Sequence, residues 1–162
     1  MKYPLIVAAI ALLQLAPVAH SQNQPRLPTT KAVGTASDTG TLSSYLWRLS
    51  NATTADGTPI RELMPHPDNP LELDFSHDRL SVRNGCNLLT GPFHMTGGRL
   101  DVGQLLQTRK FCSDSSLMRL DDAIAQRLES GLRLYLQLEA AGATLALVAE
   151  NGDSLVFNGK AR

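Results

Sequence analysis

The sequence predicts an α+β fold: a curved antiparallel sheet, or partly open (cracked) β-barrel, with one α-helix inserted before the last three strands. Two patterns predict this fold. About seven or eight short segments alternate apolar and polar residues, as half-buried strands do. One later segment repeats its apolar residues every three or four positions, as a surface helix does. Because one helix cannot cover two separate sheets, a single strongly curved sheet is the economical arrangement.

The first 21 residues have the features of a signal peptide. Lys2 precedes an apolar run that ends at Pro17, and small residues follow as far as Ser21. The run is shorter than the roughly 20 residues that cross a bilayer, so a cleaved signal is favoured over a transmembrane helix. No cysteine lies near the cleavage point to carry a lipid. We expect Sec-dependent export, cleavage near Ser21, and a periplasmic or secreted bacterial protein with no membrane anchor after signal removal.

The rest of the chain divides into a linker and one domain. Residues 22–41 are polar and predict a flexible linker, whereas residues 42–160 have the size and apolar content of one domain with one core. Of the 15 basic residues, Lys2 leaves with the signal, so 14 remain against 15 acidic residues. This balance gives no electrostatic case for binding nucleic acid or an anionic membrane.

The first strands are predicted near Trp47. The segment 45–49 predicts a strand, and we expect Trp47 to anchor the core; a tryptophan that stacks on a ligand is the alternative. The segment 51–69 contains closely spaced prolines and predicts an irregular loop. Residues 71–83 alternate on both sides of a polar turn and predict a hairpin. Residues 93–102 predict a second hairpin, with its turn at the glycine pair.

A helix is predicted after Cys112. Ser113 or Asp114 caps its start, and Gly131 is placed to end it in the left-handed conformation. Its apolar positions are Leu117, Leu120, Ile124 and Leu128.

Three strands complete the chain. The segment 132–138 has leucine at every second position, and residues 144–149 and 154–157 flank an Asn-Gly pair that is a strong hairpin signal. A two-residue turn would place Glu150 opposite Asp153. Because two like charges repel in that position, we expect a slightly longer, bulged turn.

Cys86 and Cys112 are the two cysteines of the chain. In an exported protein this number favours one disulfide, while inert buried thiols and a reactive or metal-bound sulfur are the alternatives. A metal site lacks the usual ligand spacings, and we expect no metal or cofactor. The histidines His66, His77 and His94 have no catalytic partner visible in the sequence, so we predict that the protein is not an enzyme.

Several motifs together resemble the META domain, the module of heat-inducible HslJ-like envelope proteins. The resemblance spans about residues 42–157, and the chain is similar to a non-lipidated variant. It implies a cracked-barrel fold similar to the pilot proteins of type III secretion. It also implies a role in the cell envelope under heat or antibiotic stress, with no established enzymatic activity. The motif residues are Trp47, Leu49, Gly57, Gly85, Cys86, Asn87, Gly91, Thr108, Arg109 and Cys112.

The chain departs from the family pattern at two places. Leu88 and Leu89 stand where the family usually has a bulky aromatic residue, and Lys110 stands where it usually has methionine. These departures concern surface contacts more than the fold.

We expect structural roles for the motif residues. Asn87 is expected to hydrogen-bond to the backbone of the turn after Cys86, and Gly91 to adopt a positive φ. We expect Arg109, near the proposed disulfide, to need a carboxylate partner where it is partly buried, and Asp101 and Asp74 are the candidates.

Two functions follow as expectations. The first is a non-enzymatic envelope module that binds an envelope protein or a misfolded chain. The alternative is a carrier of a small apolar ligand or lipid, and a cavity in the barrel would favour it, whereas a solid core with an exposed apolar patch would favour the binding module. The expected lining of the cavity is Trp47, Phe75, Leu132, Leu134 and Leu136.

Overall fold

The computed structural model describes residues 36–162. The predicted signal peptide and residues 22–35 of the predicted linker lie outside the described residues. Residues 36–41, also assigned to the linker, instead belong to helix α1 (Ala36–Ser43). The predicted helix is α2 (Ser115–Leu128), and a short 3₁₀ turn covers Arg61–Leu63.

The described residues form nine strands, one or two more than the sequence predicts. They are β1 (Tyr45–Thr53), β2 (Glu72–Ser76), β3 (Arg79–Arg83), β4 (Leu89–Thr96), β5 (Arg99–Val102), β6 (Leu106–Gln107), β7 (Leu132–Glu139), β8 (Gly142–Ala149) and β9 (Ser154–Ala161).

Eight of these strands close into an antiparallel barrel, and β6 is an extra strand. The strands pair in chain order, β9 returns to pair with β1, and β6 pairs with β4 beyond the end of β5. The seam between β5 and β7 is short, since only Arg99↔Arg133 and Leu100↔Leu132 pair across it. The predicted fold is confirmed, including the position of α2 before the last three strands.

Helix α2 closes one end of the barrel. Because the strands run up and down in order, the β1–β2, β3–β4, β5–β7 and β8–β9 connections meet at that end. Arg127 of α2 pairs with Glu62 and Asp153, which lie in two of these connections. In a third, the backbone N–H of Leu105 donates to Glu129 Oε1 at 2.7 Å. The opposite end contains the tight turns and α1, which leads into β1.

Side chains fill the barrel interior. Trp47, Phe75 and Phe157 are fully buried, and the rings of Phe75 and Phe93 meet edge to face with centroids 5.1 Å apart. Trp47 Nε1 donates a hydrogen bond of 2.9 Å to the carbonyl of Leu42, which joins α1 to the core. Trp47 is therefore a core anchor, as predicted. An eight-stranded barrel has an interior that side chains can fill or that can hold one small ligand, and here these large side chains occupy it.

The ends of α2 agree with the sequence prediction. Asp114 is the N-cap, and its carboxylate accepts from the backbone N–H of Ser116 at 2.8 Å. Gly131 follows the helix with φ +73°, a conformation that favours glycine.

The connections agree with the sequence prediction only in part. The β8–β9 connection spans residues 150–153, so the turn is longer than two residues, as expected. Glu150 pairs with Arg99 rather than facing Asp153 alone. The loop predicted over 51–69 starts later, because β1 continues to Thr53 along β9.

Candidate functional site

A disulfide joins two connections at the α2 end of the barrel. Cys86 lies in the β3–β4 connection, and Cys112 lies just before α2, with Cα atoms 5.8 Å apart. Of the alternatives that the sequence left open, the structure has the disulfide pair. This bond fixes the far end of the segment 106–111, in which all six residues are exposed.

Asp121 of α2 holds the turn around Cys86. Its side chain is buried, and Oδ2 accepts from the backbone N–H of Asn87 at 2.8 Å and from Asn87 Nδ2 at 3.0 Å. A Cβ on Gly85 would lie 1.9 Å from Asp121 Oδ1, so glycine is needed for this close approach. Burial raises the pKa of the Asp121 carboxyl, and the hydrogen bonds from Asn87 partly oppose that rise.

Asn87 links this turn to the exposed segment 106–111. Its Oδ1 accepts from the backbone N–H of Lys110 at 2.8 Å and from Thr108 Oγ1 at 3.0 Å. Thr108 Oγ1 also accepts from the backbone N–H of Leu88 at 3.2 Å. Asn87 therefore does bond to backbone, but to the neighbouring segment rather than within its own turn. The structure thus brings Gly85, Asn87 and Thr108 together beside the disulfide.

Two predictions about motif residues are wrong. Gly91 does not have a positive φ; glycine fits there because a Cβ would lie 2.8 Å from the carbonyl oxygen of Gln104. Arg109 is exposed and has no carboxylate within 4.0 Å among the described residues. The physical reason is that its segment follows the outer surface.

The carboxylates expected for Arg109 have other partners. Asp74 pairs with Arg83 and Arg162, and Asp101 pairs with Arg99.

The residues expected to line an apolar cavity belong to the packed core. Each of the five is buried, with at most 7% of its surface exposed. Three surface pockets in the described part of the chain lie elsewhere and include none of these residues. The pocket of about 400 Å³ beside Arg127 and Asp153 is lined mostly by polar groups. The lining that the sequence predicted is Trp47, Phe75, Leu132, Leu134 and Leu136.

Four exposed large apolar side chains lie on the elements that meet at the disulfide, namely the β3–β4 connection, the segment 106–111 and α2, and we call them the disulfide patch. The exposed fractions are Leu88 40%, Leu106 64%, Phe111 89% and Met118 44%. Leu88 bonds to Thr108 through its backbone, and Leu106 pairs with Thr90 in β4.

The other two members of the disulfide patch are close in the sequence to Cys112 or to Asp121. Phe111 directly precedes Cys112, and Met118 lies one helical turn before Asp121, which binds Asn87. A fifth exposed residue, Leu138, lies near the opposite end of the barrel.

The disulfide patch and the role of Asp121 were not predicted from the sequence. The available signals were Leu88, at a position where the family pattern already differs, and Phe111 beside a cysteine. Asp121 gave no signal, because acidic residues are common along surface helices.

The three histidines lie at separate places in the fold. His66 Nε2 lies 2.7 Å from Asp114 Oδ2 at the start of α2, whereas His77 is in the β2–β3 turn and His94 is on the outside of β4. Within residues 36–162, no three His, Cys, Asp or Glu side chains are grouped closely enough to hold a metal ion. In the same residues, no helix has the length and apolar character needed to span a membrane.

Comparisons with known proteins agree with this architecture. The family model for the META domain matches residues 40–162. The chain is similar to a protein from Burkholderia xenovorans solved by NMR, with 29% identity and a TM-score of 0.66 over 86% of this chain and 100% of that chain. It is also similar to a second protein solved by NMR, with 24% identity and a TM-score of 0.50 over 74% and 92% of the two chains.

A crystal structure of a DUF4847 family protein from Bacteroides vulgatus ATCC 8482 has 13% identity and a TM-score of 0.48, over 75% of this chain and 96% of that chain. No curated protein matches the sequence.

Proposed function

This chain belongs to the META domain family, and we propose that it is a non-enzymatic binding module of the bacterial cell envelope. In this role it binds another polypeptide, either an envelope protein or a misfolded chain, through the disulfide patch. Its action would support envelope integrity under heat or antibiotic stress.

The disulfide patch is the observation that carries the proposal. Four of the five large apolar side chains that are exposed in the described residues lie on the elements that meet at one disulfide. Isolated exposed apolar residues are normal, but a contiguous group of them is typical of an interaction surface. Phe111 is the most exposed of the four, and aromatic side chains often dominate the binding energy of protein interfaces.

The packed core argues against the alternative. A carrier of lipid or a small apolar ligand needs a cavity with apolar walls. Here Trp47, Phe75 and the leucines of β7 occupy the interior themselves. A carrier would have to open the barrel, and the short β5–β7 seam is where opening would break the fewest strand pairs.

The disulfide pair supports an envelope location. Disulfides persist in oxidising compartments such as the periplasm, and the first 21 residues have the pattern of an export signal. Fractionation of the host, with N-terminal sequencing of the mature protein, tests this part of the proposal. A full-length protein in the cytoplasm would contradict it.

Site-specific photo-crosslinking in host cells tests the binding surface. A photoreactive phenylalanine analogue replaces Phe111 in one variant and Leu138 in the other, since both positions are exposed and apolar. We expect polypeptide adducts at position 111 and few at position 138. Similar adducts at both positions, or none at 111, would contradict the proposal.

A phenotype and a mass measurement complete the test. We expect Phe111→Ser and Leu106→Ser to fail to restore heat or antibiotic tolerance in a deletion strain, while Leu138→Ser restores it. Native mass spectrometry of the protein from its host should give the mass of the chain alone or with a polypeptide. A stoichiometric bound lipid would favour the carrier.

A further inference from the structure

The extra strand β6 leaves one edge without a strand partner. β6 pairs with β4 through Thr90↔Leu106 and Leu89↔Gln107, and the backbone N–H of Thr108 continues this ladder to the carbonyl of Leu88 at 3.1 Å. In an antiparallel ladder, successive residues direct their N–H and C=O groups to opposite sides. Gln107 therefore directs its own groups away from β4, and Arg109 follows it two residues later, just beyond β6. Among residues 36–162, these groups have no hydrogen-bond partner.

This edge is held in place before any partner arrives. The disulfide fixes the chain at Cys112, and Asn87 binds the backbone of Lys110 and the side chain of Thr108. A preformed strand loses little conformational entropy when another strand pairs with it, so more of the interaction energy appears as affinity.

The charge of the edge selects its partner. Arg109 and Lys110 are exposed, and the segment 106–111 contains no acidic residue. No carboxylate lies within 4.0 Å of either side chain in the part of the chain that the structure describes. An acidic partner would gain from these charges. A second copy of this chain would instead place Arg109 and Lys110 against their own counterparts.

We propose that an extended, acidic segment of a partner protein adds as a strand to the outer edge of the segment 106–111. Its backbone would pair with Gln107 and Arg109, its apolar side chains would contact Leu106 and Phe111, and its carboxylates would pair with Arg109 and Lys110. This mode is strand addition to an exposed sheet edge, in which backbone pairing gives affinity and side chains give specificity. The inference rests on the proposed function and specifies the partner and its mode of binding.

Synthetic peptides test the charge and the backbone pairing with the wild-type protein. The first peptide alternates valine and glutamate over roughly eight residues, the usual strand length. The second replaces glutamate with lysine. The third and fourth are acidic peptides with methylated backbone amides. In the third the valine amides are N-methylated, and in the fourth the glutamate amides are. We expect the acidic peptide to bind, the lysine peptide to bind at least about tenfold more weakly, and only one N-methylated set to lose binding.

Protein variants test the same edge from the other side. Gln107→Pro removes the outward N–H while leaving the ladder to β4 intact, and Gln107→Ala is the matched control because it retains that N–H. We expect the acidic peptide to bind Gln107→Ala as it binds the wild type, and Gln107→Pro at least about tenfold more weakly. In Arg109→Glu/Lys110→Glu, the preference should reverse toward the lysine peptide. Urea denaturation checks that each variant folds.

Several results would overturn the inference. If the acidic and lysine peptides bind equally well, the charges of Arg109 and Lys110 do not select the partner. If both N-methylated peptides lose binding to the same extent, the peptide does not pair as a strand. Wild-type dimers in sedimentation that Gln107→Pro abolishes would identify a second copy as the occupant. If the photoreactive analogue at position 111 still forms polypeptide adducts in cells, while the Gln107→Pro variant binds the acidic peptide as tightly as Gln107→Ala, the inference fails and the proposed function stands.

Discussion

At the residue scale, one buried carboxylate explains why the Gly-Cys-Asn sequence is needed at this turn. Asp121 binds Asn87 through two hydrogen bonds, and Gly85 leaves the space that the carboxylate occupies. Asn87 Oδ1 in turn accepts hydrogen bonds from the Thr108 hydroxyl and the Lys110 backbone N–H. These contacts join the β3–β4 connection, the exposed segment and α2 at a single point.

Gly85→Ala tests this contact. The added methyl group would overlap Asp121 Oδ1, so we expect a loss of about 1–3 kcal/mol in the free energy of unfolding by urea. The loss should be smaller in an Asp121→Ala background, where the overlapping atom is gone. Gly40→Ala is the control, because a Cβ at Gly40 meets nothing within 4 Å and alanine favours helices. Equal losses in both backgrounds would contradict the contact.

The N-cap of α2 gives a prediction about pH. The Ser116 hydroxyl, His66 and the Ser116 backbone N–H lower the pKa of Asp114 to about 2. Because the pKa is lower in the folded state, this contribution to stability is present above the unfolded value of 3.8 and is lost as the pH falls through about 2. An NMR titration of the Asp114 carboxyl measures the pKa directly.

Asp114→Asn is the matched control for the pH prediction. Asparagine also caps helices but has no charge, so the wild type and this variant should converge in urea stability as the pH falls from 3.8 to about 2. A stability difference that stays constant across this range would contradict the prediction.

At this scale, local contacts could be predicted from the sequence and distant contacts could not. Trp47 was identified as a core anchor because a large ring is seldom exposed, and Asp114 as a cap because its role depends on residues next to it. The exposure of Arg109 could not be predicted, since it depends on which side of a surface segment faces outward. Gly91 was expected to have a positive φ, although glycine is needed there because the chain near Gln104 approaches it.

At the element scale, the best predicted parts have short-range signals. Helix α2 has its apolar residues on one side and a cap at its start, and the β4–β5 and β8–β9 hairpins have glycine-containing turns. Helix α1 was missed because its composition, rich in small and polar residues, is typical of a linker. Its place is fixed by the burial of Leu42 under Trp47, a tertiary contact. The strand β6 was missed because two residues carry no periodicity.

Reduction of the disulfide tests how the exposed segment is held. Cys86 and Cys112 are 26 residues apart, so losing the bond should lower the free energy of unfolding by about 3–4 kcal/mol on the loop-entropy model. Trypsin should then cleave after Arg109 and Lys110 faster than in the oxidised protein, while Arg133 in β7 stays protected. Unchanged cleavage at the first two sites would show that Asn87 alone holds the segment.

At the scale of the whole molecule, closure of the barrel is what makes the core solid. The curved sheet could be predicted from alternating segments and a lone strong helix. Its closure could not, because the β9–β1 pairing joins distant parts of the chain and the β5–β7 seam rests on two residue pairs.

A core substitution tests the solid interior. Phe75→Ala removes a fully buried ring and should lower the free energy of unfolding in urea by about 3–5 kcal/mol. Leu138→Ala, at an exposed position, should change it by less than about 0.5 kcal/mol. An apolar dye should bind the core variant more than the wild type. A loss below about 1 kcal/mol for Phe75→Ala would indicate an existing cavity around this ring.

The pairing of β1 with β9 determines how the domain would be oriented on a tether. Tyr45 pairs with Ala161, and the backbone N–H of Arg162 donates to the carbonyl of Ser44, so the start of β1 and the end of β9 lie side by side. They emerge at the pole opposite α2 and the disulfide patch. A tether at either terminus would therefore hold the domain with its patch facing outward. The same proximity would let a short linker fuse the termini, so that a circular permutant opened in the β7–β8 turn keeps that patch intact.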